Sequence, residues 1–524
     1  MSRFAGTANL DSATSDLDLT LEGHVSLVAD ARIDALEPGV DDHEAILQAY
    51  EKWGDDCVDH LIGDFAFAIW DKRRQRLFCA RDHFGVKPFF FAHVGSMFIF
   101  SNSLNVVRAD PRVSDELNEA AAGDYLAFGL NQDLATTIFR DIQRLPAGHK
   151  LSIANGLLTI RRYWTPEVKN EIRFRDEQSY LDRFRELFSL AISDRLRGQD
   201  GTTSKSVAIS MSGGVDSTSI AAVARELLPP SAQVHAFSTV YDELIPDQER
   251  HFSTIAASHV GVPIYHLSAD KYSLFEGTLE APEPFLISPL TGQFNDLLKL
   301  MAEHAPVALT GYDGDALMNE PRAGVRQFLH GMRRRKSTIS FPEWIDESFA
   351  KRINLSDRWQ QFNYVDKSVK RSATIRSLQS KVWAPLFEGY DPAVTGLSLE
   401  VRHPFIDLRL VDYLLSIPVK PWCTNKYILR RALKHQLPDS IVDRPKTPLA
   451  GDPALHLSRR ASVRWLDNFE VAPQLSRFVD LNRRRSLAEE ETPDAIWANL
   501  RLFAFNYWLT HSHGDKHGTE PRNR

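Results

Sequence analysis

The sequence predicts two fold classes in succession: a strand-rich α+β unit over about residues 20–165, then an α/β unit built on a parallel sheet. Three observations carry this reading. The first third crowds short β-type runs between turn residues: VSLVAD, DFAFAIWD, RLFCARD, PFFFAHV and SMFIFSN. Beyond it, strand-like VAIS (207–210), VHAFSTV (234–240) and PVALT (306–310) alternate with helical stretches at 217–227 and 294–303, the order expected of parallel strands joined by crossover helices. Finally, 524 residues exceed what one core serves at about 150 residues per domain.

Taken in order, the start, MSRFAGTANLDSATSDLDLT, has neither the apolar run of a secretory signal nor the Arg-rich, acid-poor character of a transit peptide. One helix is expected within the strand-rich unit at 43–53, where Ile46, Leu47 and Tyr50 share a face behind an acidic start at Asp41 and Asp42. The alternation ends near Trp164-Thr165-Pro166, and a charged linker at about 166–175 leads into a helix striped by Tyr180, Leu181, Phe184, Leu187, Phe188, Ala191 and Ile192. The expected domains are therefore 1–168 and 176–510, followed by a polar, disordered tail at 511–524 whose His511, His513 and His517 read as solvated rather than metal-binding.

Composition removes several function classes. Hydrophobic residues at 43% and charged residues at 25% describe a chain that buries several cores. Lys+Arg 62 against Asp+Glu 69 leaves a net charge of −7, which supplies no global basic field for nucleic acid. No apolar run approaches the roughly 20 residues of a membrane span. Cys57, Cys79 and Cys423 are widely spaced and odd in number, which argues against a disulfide framework or a C-x-x-C site and fits a reducing cytoplasm.

The segment with the clearest chemistry is VAISMSGGVDSTSIAA, 207–222: a β-branched strand, a Ser/Gly loop, and a helix starting near Asp216 or Ser217. Gly213 and Gly214 let backbone approach a ligand, and Ser210, Ser212 and Ser217 add hydroxyls at a helix N-terminus whose free N–H groups favour phosphate. The Walker pattern G-x-x-x-x-G-K-[ST] is absent, and Asp216 stands where a bare carboxylate would repel phosphate, which implies a divalent cation.

SGGVDS resembles the pyrophosphate loop of the ATP pyrophosphatases, which split ATP into AMP and pyrophosphate while adenylating a substrate. GDFAFAIWDKRRQRLFCARDHFGVKPFFF (63–91) resembles the N-terminal glutaminase domain of asparagine synthetases, and LTGYDGDALM (309–318), LEVRHPFIDLRLVDYLLSIP (399–418) and TNKYILRRAL (424–433) resemble that family's synthetase domain, in order. The implied fold is an Ntn-type, glutaminase-like α+β sandwich followed by a parallel-sheet domain of the adenine nucleotide α-hydrolase-like kind. Within the family, RHPFIDLRL and RPKTPLAGDP (444–453) lean toward lasso-peptide cyclases, which join a peptide's N-terminal amine to an Asp or Glu side chain; β-lactam synthetases share much of the pattern.

The resemblance implies ATP and Mg²⁺ as cofactors. It implies ATP contacts from Ser210, Met211, Ser212, Gly213, Gly214, Asp216, Ser217, Thr239, Thr310 and Gly311, and metal binding by Asp216 and Asp315. Lys426 is implied as the cation that steadies charge on the phosphates. Tyr312 corresponds to a tyrosine that β-lactam synthetases pair with a glutamate to deprotonate an amine; Glu347, with Glu343 and Asp346 as alternatives, is the expected partner, and simple packing beneath the nucleotide is the rival role for Tyr312. Arg402, His403, Asp407 and Arg409 read either as a buried ion network or as a substrate wall. The basic clusters 333–336 and 483–485 read as solvated, the first also as a guide for an acidic peptide.

The pattern breaks at the N-terminus. Glutamine-dependent asparagine synthetases begin Met-Cys-Gly, whereas this chain begins Met1-Ser2-Arg3, and VSLVADARID (25–34) stands where their glutamine-holding segment is expected. A serine hydroxyl is far harder to deprotonate than a thiol of pKa about 8.5. The expectation is an inactive glutaminase serving as a scaffold, and a cyclase acting on a precursor core peptide with a separate leader peptidase and leader-recognition protein as partners. The rivals are an asparagine or β-lactam synthetase-like ligase acting on a small amino acid, and an inactive scaffold paralogue.

Overall fold

The computed structural model describes residues 4–9, 14–17, 20–22, 24–34, 36, 39–198, 202–277, 281–320, 341–362, 370–445, 449 and 451–511. The chain forms two antiparallel sheets and then one parallel sheet. The first sheet orders β2 (Thr14–Leu17), β1 (Ala5–Asn9), β8 (Met97–Ser101), β7 (Phe90–Val94) and β9 (Ile142–Arg144). The second orders β11 (Leu157–Arg162), β10 (His149–Ala154), β6 (Arg76–Arg81), β5 (Gly63–Asp71), β4 (Val25–Ile33) and β3 (Thr20–Glu22).

Period-two alternation along β5 explains the layering. Ala66, Ala68 and Trp70 join Phe91, Phe98 and Phe100 of the facing sheet in one apolar cluster. Phe65, Phe67 and Ile69 point the other way, onto Ile46, Leu47 and Tyr50 of α1 (Asp42–Trp53). A strand buried on both faces reads as a continuous apolar run, as DFAFAIWD does. The helix is capped by Asp41, whose side chain accepts from Glu44 N.

After β11 an irregular stretch leads to the helix Glu177–Arg195, and the parallel sheet follows with strand order β14 (Ile264–Ser268), β13 (Gln233–Val240), β12 (Ser206–Ser210), β15 (Val307–Leu309) and β16 (Glu400–Arg402). The sequence runs outward from β12 on one side and then returns to its other side, so the carboxyl ends of β12 and β15 flank the point where strand order reverses. Open α/β sheets bind ligands in the crevice at such a point. The helix expected at 217–227 spans Val215–Leu227, and that expected at 294–303 spans Thr291–Ala302.

Charged side chains lock the two halves together. Lys87 lies 2.9 Å from Asp30 and 3.1 Å from Glu400, and Arg144 holds Glu388 at 2.7 Å and also pairs with Glu283. Arg195 pairs with Asp407 at 2.9 Å within reach of Asp34 and Asp64. The VSLVADARID segment is β4, and its Asp30 and Arg32, with Asp34 just beyond, are all buried in this network. All three cysteines are buried and free. Among the described residues no helix is long and apolar enough to cross a membrane. The helix Pro493–His511 carries His511; the rest of the expected tail, with His513 and His517, lies outside the described residues, as do Ser2 and the 333–336 cluster.

Candidate active site

The loop between β12 and Val215–Leu227 is held by its own small residues. Gly213 has φ +67°, and a Cβ there would lie 2.4 Å from Phe252 C and Ser253 N, so no other residue fits without moving backbone. Ser217 Oγ accepts from Ser212 N at 3.3 Å and is 3.3 Å from Gly214 O. No side chain caps the following helix at Gly214, which leaves its first amides for an anion.

Three charged side chains converge beside this loop. Lys426 Nζ pairs with Asp216 and lies 2.7 Å from Asp315 Oδ1. Asp216 is largely buried, and burial pushes its carboxyl above the usual carboxylate range against the pull of Lys426. The approach of Asp216 to the Asp313–Asp315 turn depends on Gly314, where a Cβ would sit 2.9 Å from Asp216 Cγ. Lys426 itself is held in the left-handed region at φ 55°, after Asn425 at φ 49°. Its amide donates to Met318 O at 2.9 Å and that of Asn425 to Asn319 Oδ1 at 3.2 Å, so the surrounding backbone fixes an unfavourable conformation that aims the ammonium at both carboxylates.

These groups open into a cleft of 1050 Å³ lined by Ser212, Gly214, Asp216, Asp315 and Lys426. Lys420, Arg430, Arg444 and Glu249 line it too. The sequence reading missed these four. Arg444 Nη1 donates to Gly213 O at 3.0 Å, and its guanidinium lies 3.8 Å from the Phe252 ring centre, so it clamps the loop. Its signal was its place at the head of RPKTPLAGDP; that of Arg430 was its position one turn after Lys426. A second, apolar lobe of 800 Å³ shares Ser212 and Glu249 with the first and includes Thr239.

Other expected site residues fall elsewhere. Met211 is buried in the core and its amide donates to Phe237 O at 2.8 Å, so neither its amide nor its side chain serves the cleft. Ser210, at the end of β12, and Gly311, packed against Asp216, are not among the residues lining either lobe. The Thr310 hydroxyl is 2.7 Å from His403 Nδ1, and burial pushes His403 down to about 3, keeping the ring neutral. Thr310 therefore buttresses the sheet edge instead of facing the lobes. The expected pairing of Tyr312 with Glu347 is not formed: the Tyr312 hydroxyl is 2.8 Å from that of Tyr390, while Glu347 pairs with Arg483 at 2.8 Å. Of the alternatives, Glu343 lies 3.7 Å from Arg485 and Asp346 caps its helix through Phe349 N. Each acid is occupied by a local partner its sequence neighbourhood did not reveal. Arg402, Asp407 and Arg409 form the buried ion network and not a wall of the lobes: Arg402 holds Glu400 at 2.6 Å, and Arg409 holds Asp407 at 2.7 Å.

The donor set suits a magnesium ion. Asp216 Oδ1 is buried with no hydrogen-bond partner among the described residues, and two carboxylates already converge. No group of three or more His, Cys, Asp or Glu that could hold a metal occurs among the described residues, so Asp216 and Asp315 would supply two ligands and nucleotide phosphates or water the rest, the usual habit of Mg²⁺.

A parallel sheet whose Ser/Gly loop meets a lysine and two acids at the strand ends defines the class: an ATP-dependent ligase. The profile of the family described as Asparagine synthase matches residues 183–510, and that of the Glutamine amidotransferase domain matches 38–164. The chain belongs to the asparagine synthase family, with an N-terminal glutamine amidotransferase domain. It is 29% identical to asparagine synthetase (glutamine-hydrolyzing) 3 of Bacillus subtilis strain 168, covering 78% of this chain and 70% of that protein. It is 25% identical to asparagine synthetase (glutamine-hydrolyzing) 2 of the same strain, covering 78% and 58%, and 26% identical to amidase chyE of Penicillium rubens, covering 86% and 79%.

Proposed function

We propose that this ligase is a lasso-peptide cyclase: it adenylates an Asp or Glu side chain of a core peptide and admits the peptide's own N-terminal amine, closing an isopeptide ring. The observation that carries the reading is the cleft, whose apolar lobe of 800 Å³ adjoins the charged lobe and exceeds what a free amino acid beside ATP would fill. In the first step a carboxylate oxygen bonds the α-phosphorus and the bond to the β-phosphate oxygen breaks, releasing pyrophosphate. In the second the amine attacks the acyl carbon, loses a proton and expels AMP.

Bringing two anions to about 3.5 Å costs several kcal/mol at an effective dielectric near 20. Lys426, Arg430 and Arg444 line the lobe where that charge gathers, and fixed cations in a partly buried cleft stabilise it without reorganising. Magnesium held by Asp216 and Asp315 would add charge neutralisation at the phosphates. Ser212 and the helix amides after Gly214 would orient the phosphates, with Thr239 on the base side. An attacking α-amine of pKa about 8 needs only modest help to lose its proton. The N-terminal half acts as a brace, since the segment expected to hold glutamine is committed to the ion network between the halves. A separate protease would remove the leader, aided by a leader-recognition protein.

The second reading is an asparagine or β-lactam synthetase-like ligase acting on a small amino acid, favoured by the names of the bacterial relatives. The two separate on one assay: purified protein with Mg-ATP and a leader-free core peptide, or with aspartate and ammonia. Loss of one water from the peptide mass, with AMP release, supports cyclisation; asparagine as the sole product overturns it.

A further inference from the structure

The two lobes of the cleft meet at two side chains: among the described residues only Ser212 and Glu249 line both. The charged lobe holds Asp216, Asp315, Lys426, Arg430 and Arg444. The other holds Thr239, near the carboxyl end of β13. A nucleotide with its phosphates in the first and its base in the second therefore carries its sugar across Ser212 and Glu249.

The Glu249 carboxylate is unspent at this junction. It opens the helix Glu249–Val260, where an acid often caps a backbone amide. Here Asp247 takes that task, its Oδ1 accepting from Glu249 N at 2.9 Å. The ion partner of Glu249 is Arg444, whose Nη2 lies 3.6 Å from Glu249 Oε1, too far for a hydrogen bond. Arg444 Nη1 is spent on Gly213 O at 3.0 Å. With its side chain 18% exposed, Glu249 is enclosed yet open to the cleft, and burial pushes its carboxyl above the usual carboxylate range.

A partly desolvated carboxylate without hydrogen-bond donors is costly to keep. The two neighbouring hydroxyls of a ribose supply one donor to each of its oxygens, and they add no second positive charge beside Arg444. Such bonds to an ionised acceptor are roughly twice as strong as neutral ones, and an acid on a ribose hydroxyl is the device used at dinucleotide sites. We propose that Glu249 grips the ribose 2′,3′-diol of ATP and makes this ligase discriminate against deoxynucleotides. This rests on the reading of the cleft as the ATP site and is independent of which acceptor is adenylated.

The test measures binding of Mg-ATP, Mg-2′-deoxyATP and Mg-3′-deoxyATP to the full chain by calorimetry, with no acceptor present. The wild type should bind ATP at least about tenfold more tightly than either deoxynucleotide, the loss expected for one hydrogen bond to a charged group. Glu249→Ala should weaken ATP by at least about tenfold and leave the deoxynucleotides within about threefold of their wild-type values, so that the preference disappears. Arg444→Met removes the clamp on Gly213 O and the ion partner of Glu249 but not the carboxylate itself. It should weaken all three nucleotides alike and keep the preference. Equal binding of the three by the wild type would overturn the proposal. So would a preference that survives in Glu249→Ala, which would leave Glu249 only bracing Arg444. Binding of none of the three by the wild type would overturn the ATP reading of the cleft as well.

Discussion

Lys426 Nζ lies 2.7 Å from Asp315 Oδ1 and also pairs with Asp216, so a single ammonium bridges the two carboxylates expected to hold magnesium. Without nucleotide the acids are neutralised by the lysine. Asp216 and Asp315 would hold a magnesium ion, which would supply charge neutralisation at the phosphates, and the Lys426 ammonium would then serve the phosphates it is suited to steady. Lys426→Ala should therefore lower pyrophosphate release by about 10²–10³-fold, the range seen on removing a group that stabilises transition-state charge. Stopped assays with labelled ATP check this, and a loss under threefold would remove Lys426 from the chemistry.

Asp216→Asn keeps the shape of the side chain but removes half of the proposed magnesium set. Pyrophosphate release should fall to background at every magnesium concentration, whereas Asp315→Asn, at a site 40% exposed, should show partial rescue by excess Mg²⁺. A magnesium titration of both variants is the measurement. Unchanged dependence in Asp315→Asn would place the ion elsewhere.

Gly314→Ala separates geometry from folding. The three atoms nearest its Cβ would all belong to the Asp216 carboxyl, Cγ at 2.9 Å, and a flexible carboxylate can move aside. Stability should change by less than about 1 kcal/mol, a few degrees in Tm at most, while ATP turnover falls at least about tenfold. Calorimetry beside the pyrophosphate assay reads both, and full turnover would mean that the tight approach of Asp216 is not required.

How much of this was legible follows from the range of the signals. The loop, Asp216, Asp315 and Lys426 were readable because each lies in a contiguous motif whose chemistry is local. The order β14-β13-β12-β15-β16 was not, beyond its parallel character, since strand neighbours are set by packing across more than 150 residues of chain. Tyr312 shows the limit: its partner Tyr390 lies 78 residues along the sequence, while the three acids expected as its partners, Glu347, Glu343 and Asp346, are occupied by Arg483, Arg485 and a helix cap. Arg444 heads the RPKTPLAGDP segment, but its contact with Gly213 O is what shows it clamping the loop.

The contact between the halves should be acid-labile. Burial pushes the Glu400 carboxyl up, but Lys87 and Arg402 outweigh burial and hold it well below the usual carboxylate range. A carboxyl with a depressed folded-state pKa contributes stability that is complete above its unfolded value, about 4.3, and is lost as pH falls through the folded one. Urea midpoints should therefore drop below about pH 4 in the wild type and drop less in Glu400→Gln. An equal drop in both would assign acid sensitivity to other groups.

Ser2→Ala addresses the N-terminal half. On the proposal that this half is a brace, pyrophosphate release should be unchanged, and added glutamine should not stimulate it in either protein. Stimulation by glutamine that disappears in the variant would restore a catalytic role to this half.

The most direct test of the account follows nucleotide phosphorus by ³¹P NMR while purified protein acts on Mg-ATP and a core peptide. AMP and pyrophosphate should appear in equal amounts, one of each per amide bond formed. ADP with inorganic phosphate would contradict it.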